Sequence, residues 1–269
     1  MIDVARPAPG ERRFGRVNWL GLWTLYMREV MRFAKVWGQT LLAPLATAAL
    51  FVAVFHFALA SRRGEIMGIA FEQFLAPGIV MMAVIQNAFA NTSSSLVISK
   101  VQGNIVDTLM PPLSPAEMLT GYAFGGASRG VAVALSVGGP IFVALGVGVA
   151  HPLWAALFLF LGALLMALVG VIAGVICTKF DQMAAITNFI VTPLAFLSGS
   201  FYTIADLPAG FRAFSHANPV FYLIDGFRYG ILGISDSPPW IGATVAFCAV
   251  AALWLVALRL LTKGVGLKD

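Results

Sequence analysis

Charge is scarce in this chain: only 11% of its 269 residues are Asp, Glu, Lys or Arg, against 59% hydrophobic residues. So little charge cannot cover a water-soluble domain of this size, and lipid is the expected solvent. Cysteine is nearly absent. The two present, Cys177 and Cys248, fall in predicted membrane segments and offer neither a disulfide framework nor a metal cluster. His216 has no second histidine or carboxylate at metal-ligand spacing, so a surface or hydrogen-bonding role is expected of it. Also missing are HExxH, GxSxG and the phosphate loop GxxxxGK[ST]. An enzyme reading has no site, and ATP hydrolysis by the phosphate-loop route is excluded.

What is present is long apolar sequence. The charged residues leave uncharged intervals at 36–61, 73–99, 130–178, 182–205 and 237–258. A membrane-spanning helix needs roughly 20 apolar residues, so each interval is long enough to cross. The interval 130–178 is too long for one span and breaks at His151-Pro152, where proline restricts the residue before it and lacks a backbone donor. The expected fold is therefore an all-α polytopic membrane protein with six spans, near 40–60, 74–98, 118–148, 153–177, 183–202 and 240–261, within a transmembrane domain over 39–262. Some 35 polar or amphipathic residues precede the first fully apolar run, so no cleavable leader is evident and the first span is expected to be retained.

Placing both termini in the cytoplasm puts eleven Lys and Arg residues inside and four outside, with Arg129 and Arg259 within spans. The positive-inside rule favours that orientation. The net charge of +5 is explained by topology and anionic lipid, and no basic patch with polar readers points to nucleic acid. Residues 1–17 and 263–269 read as cytoplasmic tails, the first of them flexible.

Between 18 and 38, Trp19, Trp23, Tyr26, Val30, Phe33 and Trp37 recur at helical spacing while Arg28, Arg32 and Lys35 mark another face. This pattern predicts an interfacial helix with its rings at headgroup depth; a cytoplasmic extension of the first span is the alternative. The connection 99–117 carries Ile105, Val106, Leu109 and Met110 around Asp107, enough for one or two amphipathic turns ended by Pro111-Pro112. Ser114, Pro115 and Glu117 then spell a helix start with a capping box. Such a loop serves either as a mechanical handle or simply as a connector. Asp181 reads as the cap of the fifth span.

Inside the spans Arg129 is the most unusual charge. It either snorkels to the headgroups or forms one wall of a path accepting an anionic group, with Gln86 and Asn87 of the second span as further polar lining. The connection 203–238 still holds many apolar rings and is expected to form two short helices dipping into the outer leaflet or covering the bundle. Asp225 and Arg228, three apart, are expected to pair structurally, with direct ligand contact as the other reading.

Two stretches carry a resemblance. QGNIVDTLMPPLSPAEMLTGY at 102–122 and HANPVFYLIDGFRYG at 216–230 resemble the permease subunits of type-2 ATP-binding-cassette exporters, and the likeness runs over nearly the whole chain. The second stretch is similar to small bacterial permeases of drug, nodulation-factor and polysaccharide exporters. The resemblance implies a half-transporter in the bacterial inner membrane, paired with a separately encoded ATPase in two copies and with a second permease, as a homodimer. ATP and Mg would sit on that partner and not on this chain. It also implies that Trp19–Trp37 is a connecting helix, that Gly103, Ile105, Val106, Asp107, Leu109 and Met110 belong to a coupling helix entering an ATPase groove, and that Asn218, Pro219, Tyr222, Asp225 and Arg228 form an outer re-entrant region of architectural or gating role. The expected cargo is an amphiphile: lipid, glycan or hydrophobic drug. A gradient-driven transporter or channel and a membrane scaffold remain the competing functions; the first would need an intramembrane carboxylate relay, which is not obvious here.

Overall fold

The computed structural model describes residues 17–59, 65–204 and 208–266. The predicted N-terminal tail, apart from Val17, lies outside the described residues, as do Arg62, Arg63 and Lys268. The chain is built almost wholly of helices. α1 (Trp19–Ala34) is followed by a π-helical turn, Gly38–Leu42, that runs into α2 (Ala43–Leu59). A two-residue hairpin pairs β1 (Glu65–Ile66) with β2 (Ile69–Ala70). Its turn residues Met67 and Gly68 both take positive φ, at 52° and 78°, as the twist of a tight hairpin requires. Then come α3 (Phe71–Val101), the short α4 (Ile105–Leu109), α5 (Pro115–Ala144) and α6 (Pro152–Ile176). The break expected at His151-Pro152 is present, with the His151 backbone N–H donating to the carbonyl of Gly230 (2.8 Å).

Among the described residues, five helices are long and apolar enough to cross a membrane: Gly38–Phe57, Phe71–Val101, Pro115–Ala144, Pro152–Ile176 and Pro239–Lys263. The fifth expected span, 183–202, has a different form. It comprises α7 (Phe180–Ile186), a π-helical turn at Thr187–Val191 and α8 (Thr192–Phe196), pieces of seven, five and five residues. At about 1.5 Å per residue they rise about 25 Å, less than the roughly 30 Å of a hydrocarbon core. Past α8 the helix gives way to turns, with Gly199 at φ 78°. Asp181 does not cap this segment: Lys179 holds the cap position and Asp181 lies in the first turn, while Gln182 accepts from the Thr178 amide (2.9 Å). α9 (Ala209–Ala217), α10 (Pro219–Leu232) and α11 (Pro239–Lys263) complete the chain.

α3 is the central post, packed against α5, α6 and α10. Its approach to α6 is close enough to require glycine: a Cβ on Gly170 would lie 2.1 Å from Thr92 Oγ1 and 2.5 Å from the Phe89 carbonyl oxygen. The same threonine hydroxyl donates to the Ala167 carbonyl (2.8 Å), so a small residue and a cross-helix hydrogen bond fix this contact together. Lys100, at the end of α3, donates to the last carbonyls of α6, those of Val175 and Cys177, and Gly266 touches both Lys100 and Val175. The described ends of the chain therefore meet the bundle on the same side, the side of α1 and α4. α7 starts on that side and α11 on the opposite one, so the segment between them carries the chain from end to end. α2 and α11 remain little covered and present apolar faces outward.

Candidate functional site

The side of the bundle holding α1, α4 and the start of α5 is locked by local rules acting together. Ser114 and Glu117 form the expected capping box: the Glu117 amide donates to Ser114 Oγ (3.4 Å) and the Ser114 amide donates to Glu117 Oε2 (2.7 Å). The second carboxylate oxygen has a further use, accepting from the Asn18 amide (2.7 Å). Asn18 in turn caps α1, taking the Gly21 amide on Oδ1 (2.9 Å), and donates from Nδ2 to the Pro112 carbonyl (3.2 Å). One carboxylate thus sits at the N-termini of two helices, where both helix dipoles favour negative charge.

α4 is the predicted amphipathic element. Gly103 turns the chain into it at φ 73°. Thr108 is buried on its inner side, while Val106, Leu109 and Met110 are 53%, 37% and 76% exposed, an apolar edge left uncovered by the described residues. Ile105 is half-buried against the core and Asp107 is exposed. Arg28 of α1 reaches across to α4, donating to Thr108 Oγ1 (2.9 Å) and to Tyr122 Oη of α5 (2.9 Å). Burial works against the charge of Arg28, but Tyr122 and Glu29 more than offset it and its pKa lies above the ordinary guanidinium value.

The residue that sequence reasoning missed is Glu29. Its side chain is fully buried and accepts from Ser95 Oγ of α3 (2.7 Å), with Arg28 at 3.3 Å and Arg32 at 3.2 Å. Arg32 also donates to Ser94 Oγ (3.0 Å) and to the Asn91 carbonyl of α3. This contact depends on Gly125 of α5, where a Cβ would fall 2.5 Å from the Glu29 Cβ. Arg28 and Arg32, which mark another face of this helix than the aromatic rings, are turned into the protein. Trp19, Trp23 and Trp37 stay exposed, as an interfacial helix requires. A cavity of about 670 Å³ between α1, the end of α3 and α4 is lined by Arg28, Arg32, Lys35, Ser99 and Asp107.

The predicted polar group of the second and third spans is assembled in part. Arg129 Nη2 donates to Asn87 Oδ1 (3.0 Å), joining α5 to α3. Gln86 and Asn87 line a cleft of about 410 Å³ with Gln39 and Thr47, and its remaining walls are apolar, including Phe51, Ile79, Met82 and Phe196.

At the opposite end, Asn218 caps α10, accepting from the Val220 amide (3.0 Å) and donating to Ser198 Oγ (2.8 Å), and Pro219 takes the first helical position. Arg228 is 1% exposed, lies 4.1 Å over the Phe74 ring, donates to the Gly199 carbonyl and stands 3.7 Å from Asp225. Asp225 accepts from the amides of Asp236 (2.9 Å) and Ser237 (3.0 Å) and from the Ser237 hydroxyl (2.9 Å). Tyr222 Oη donates to the His216 carbonyl (3.1 Å). Both members of the expected pair are thereby committed to holding loops, and neither is presented to a ligand.

Residues 21–232 match the family model described as ABC-2 type transporter. The chain is 37% identical over 253 residues to the inner membrane transport permease YadH of Escherichia coli K12, covering 93% of this chain and 98% of that protein. It is also similar to nodulation protein J of Sinorhizobium fredii (25% over 254 residues; 93% and 92% covered) and of Rhizobium leguminosarum bv. viciae (23% over 226; 81% and 84%).

Proposed function

Since the chain belongs to the ABC-2 type transporter family, we propose that it is the membrane half of an ATP-driven exporter of an amphiphile, worked by a separate ATPase subunit. Two copies of the chain would enclose the path and two ATPases would bind beneath them. The broken segment of α7 and α8 would be the sixth crossing, which agrees with both described ends lying on the α1 side. The name of the YadH relative supports an inner-membrane location, and the excess of Lys and Arg on the α1 side supports turning that side toward the cytoplasm.

The observation that carries the reading is the exposed apolar edge of α4, Val106, Leu109 and Met110, on a helix whose other side is tied through Thr108 and Arg28 to α1 and α5. A partner gripping that edge would drag α1 and α5 with it, which is how nucleotide-driven closure would reach the path beside Arg129, Gln86 and Asn87. Reconstitution with the ATPase encoded beside it tests this. Changing Val106, Leu109 and Met110 together to serine is expected to abolish nucleotide-dependent transport into inverted vesicles and to leave the permease folded. Unchanged transport would remove α4 from the mechanism.

A further inference from the structure

Arg129 is a cation inside a membrane-crossing helix, and among the described residues no carboxylate stands within ion-pair distance of it. Its one hydrogen bond goes to a neutral amide oxygen, that of Asn87, and its Nε is buried without a partner. The charged group close enough to act on it is another cation, Arg32. One helical turn below Asn87 on α3, Asn91 is fully buried, and neither its amide oxygen nor its amide nitrogen finds a partner, although Arg32 binds its backbone carbonyl. The Nε of Arg32 is likewise buried and unpartnered. Glu29 does not repair this deficit, because it already neutralises Arg28 and Arg32 on the far side of the seam.

Unpaired buried donors of this kind are costly, and an uncompensated cation at membrane depth is costlier still. A protein retains such a group where something else supplies the complement. Three unpartnered donors lie here, Arg129 Nε, Arg32 Nε and Asn91 Nδ2, with a surplus of positive charge, so the complement is an anion; Asn87, whose Nδ2 donates to the Ala83 carbonyl (3.0 Å), holds Arg129 in place. Arginine's planar fork suits an oxyanion, which can take two parallel N–H bonds at once. Two further features bear on what carries that anion. The cleft beside Gln86 and Asn87 is walled mainly by apolar groups, and the cavity holding Arg28, Arg32 and Lys35 opens at the α1 end, so cations extend from the headgroup region toward Arg129.

We infer that Arg129, positioned by Asn87, together with Arg32 and the side-chain amide of Asn91 forms a binding station for the oxyanion head of an amphiphile, a phosphate, sulfate or carboxylate, whose apolar body lies in the adjoining cleft. That this amphiphile is cargo rests on the exporter reading; that the station binds it does not.

The test needs neither ATPase nor transport. The full-length permease in phosphatidylcholine nanodiscs is titrated with decyl phosphate, with decyltrimethylammonium and with decyl maltoside, and binding is followed by calorimetry. Partition into lipid is common to all variants, so differences between variants report the protein site. Saturable binding of decyl phosphate alone is expected, weakened tenfold or more in Arg129→Gln and largely kept in Arg129→Lys. Asn91→Leu separates a donor from a structural leftover: the station predicts weaker decyl phosphate binding, whereas a raised melting temperature with unchanged binding would overturn the role of Asn91. Equal affinity in wild type and Arg129→Gln, or no preference for the anionic head, would overturn the proposal. Sodium phosphate without a tail is expected to bind far more weakly, and equal binding would contradict the role given to the cleft. Discs containing phosphatidylglycerol identify the source of the head: if that lipid blocks decyl phosphate, the station belongs to a resident lipid and its assignment to cargo fails. A failed transport assay with intact decyl phosphate binding would count against the exporter reading alone.

Discussion

Glu29 is the residue on which the α1 end turns, because it is the acid shared by Arg28, Arg32 and Ser95 and it is fully buried. Removing one partner of a buried pair leaves the other charge uncompensated. Both arginines keep some access to water, so Glu29→Ala is expected to cost about 1–3 kcal/mol and to lower the unfolding temperature of the purified protein in a thermal scan. Arg28→Lys tests the same network more gently: a lysine is a point charge that cannot serve Thr108 and Tyr122 from one fork. The expected outcome is less than about 1 kcal/mol of lost stability, by the measure of exposed ion pairs, with a marked fall in ATPase-driven transport when the partner is present. The sequence made the arginines legible but not their direction. Helical spacing set them on another face from the aromatic rings without saying what that face meets. What turned them inward is Gly125, which lets α1 lie directly on α5 and brings Glu29 to Ser95. The available signal was an acid flanked by arginines one and three positions away, opposite a span rich in Asn and Ser.

At the scale of elements, the apolar runs gave the helices well where continuous helix filled them, as in α3, α5, α6 and α11. The fifth run was different. Its composition marked a crossing of 20 residues, yet the backbone divides it among a helix, a π turn and another short helix beginning at Thr192. Apolar composition reports which solvent a segment prefers and says nothing about how its hydrogen bonds are spaced, so the interruption was not readable in advance. The small hairpin Glu65–Ala70 was hidden for a similar reason, being too short to show a period. Contacts between helices are set by single small residues, and Gly170 is the sharpest case. Gly170→Val is expected to force α3 and α6 apart, costing roughly 1–3 kcal/mol or more as overpacking does. Loss of monodisperse protein on size exclusion and a lowered melting temperature would register it, while Gly139→Val, where a Cβ meets nothing within 4 Å, should be tolerated.

For the whole molecule, class and general layout followed from the shortage of charge and the length of the apolar runs, while the arrangement of working parts needed the packed structure. Thr108, Arg28, Tyr122, Glu29 and Ser95 belong to four different helices, and no spacing along the chain brings them together. Their assembly makes α1, α4 and the adjoining ends of α3 and α5 one mechanical unit, on which α4 presents an apolar edge beside the exposed tryptophans of α1. The claim that this edge receives the ATPase is tested most directly by proximity. A photoreactive benzophenone amino acid substituted at Met110 is expected to give a permease–ATPase adduct on irradiation of the reconstituted complex, and the same substitution at Trp240, at the far end of the bundle, is expected to give none. An adduct from position 240 and not from position 110 would contradict the account.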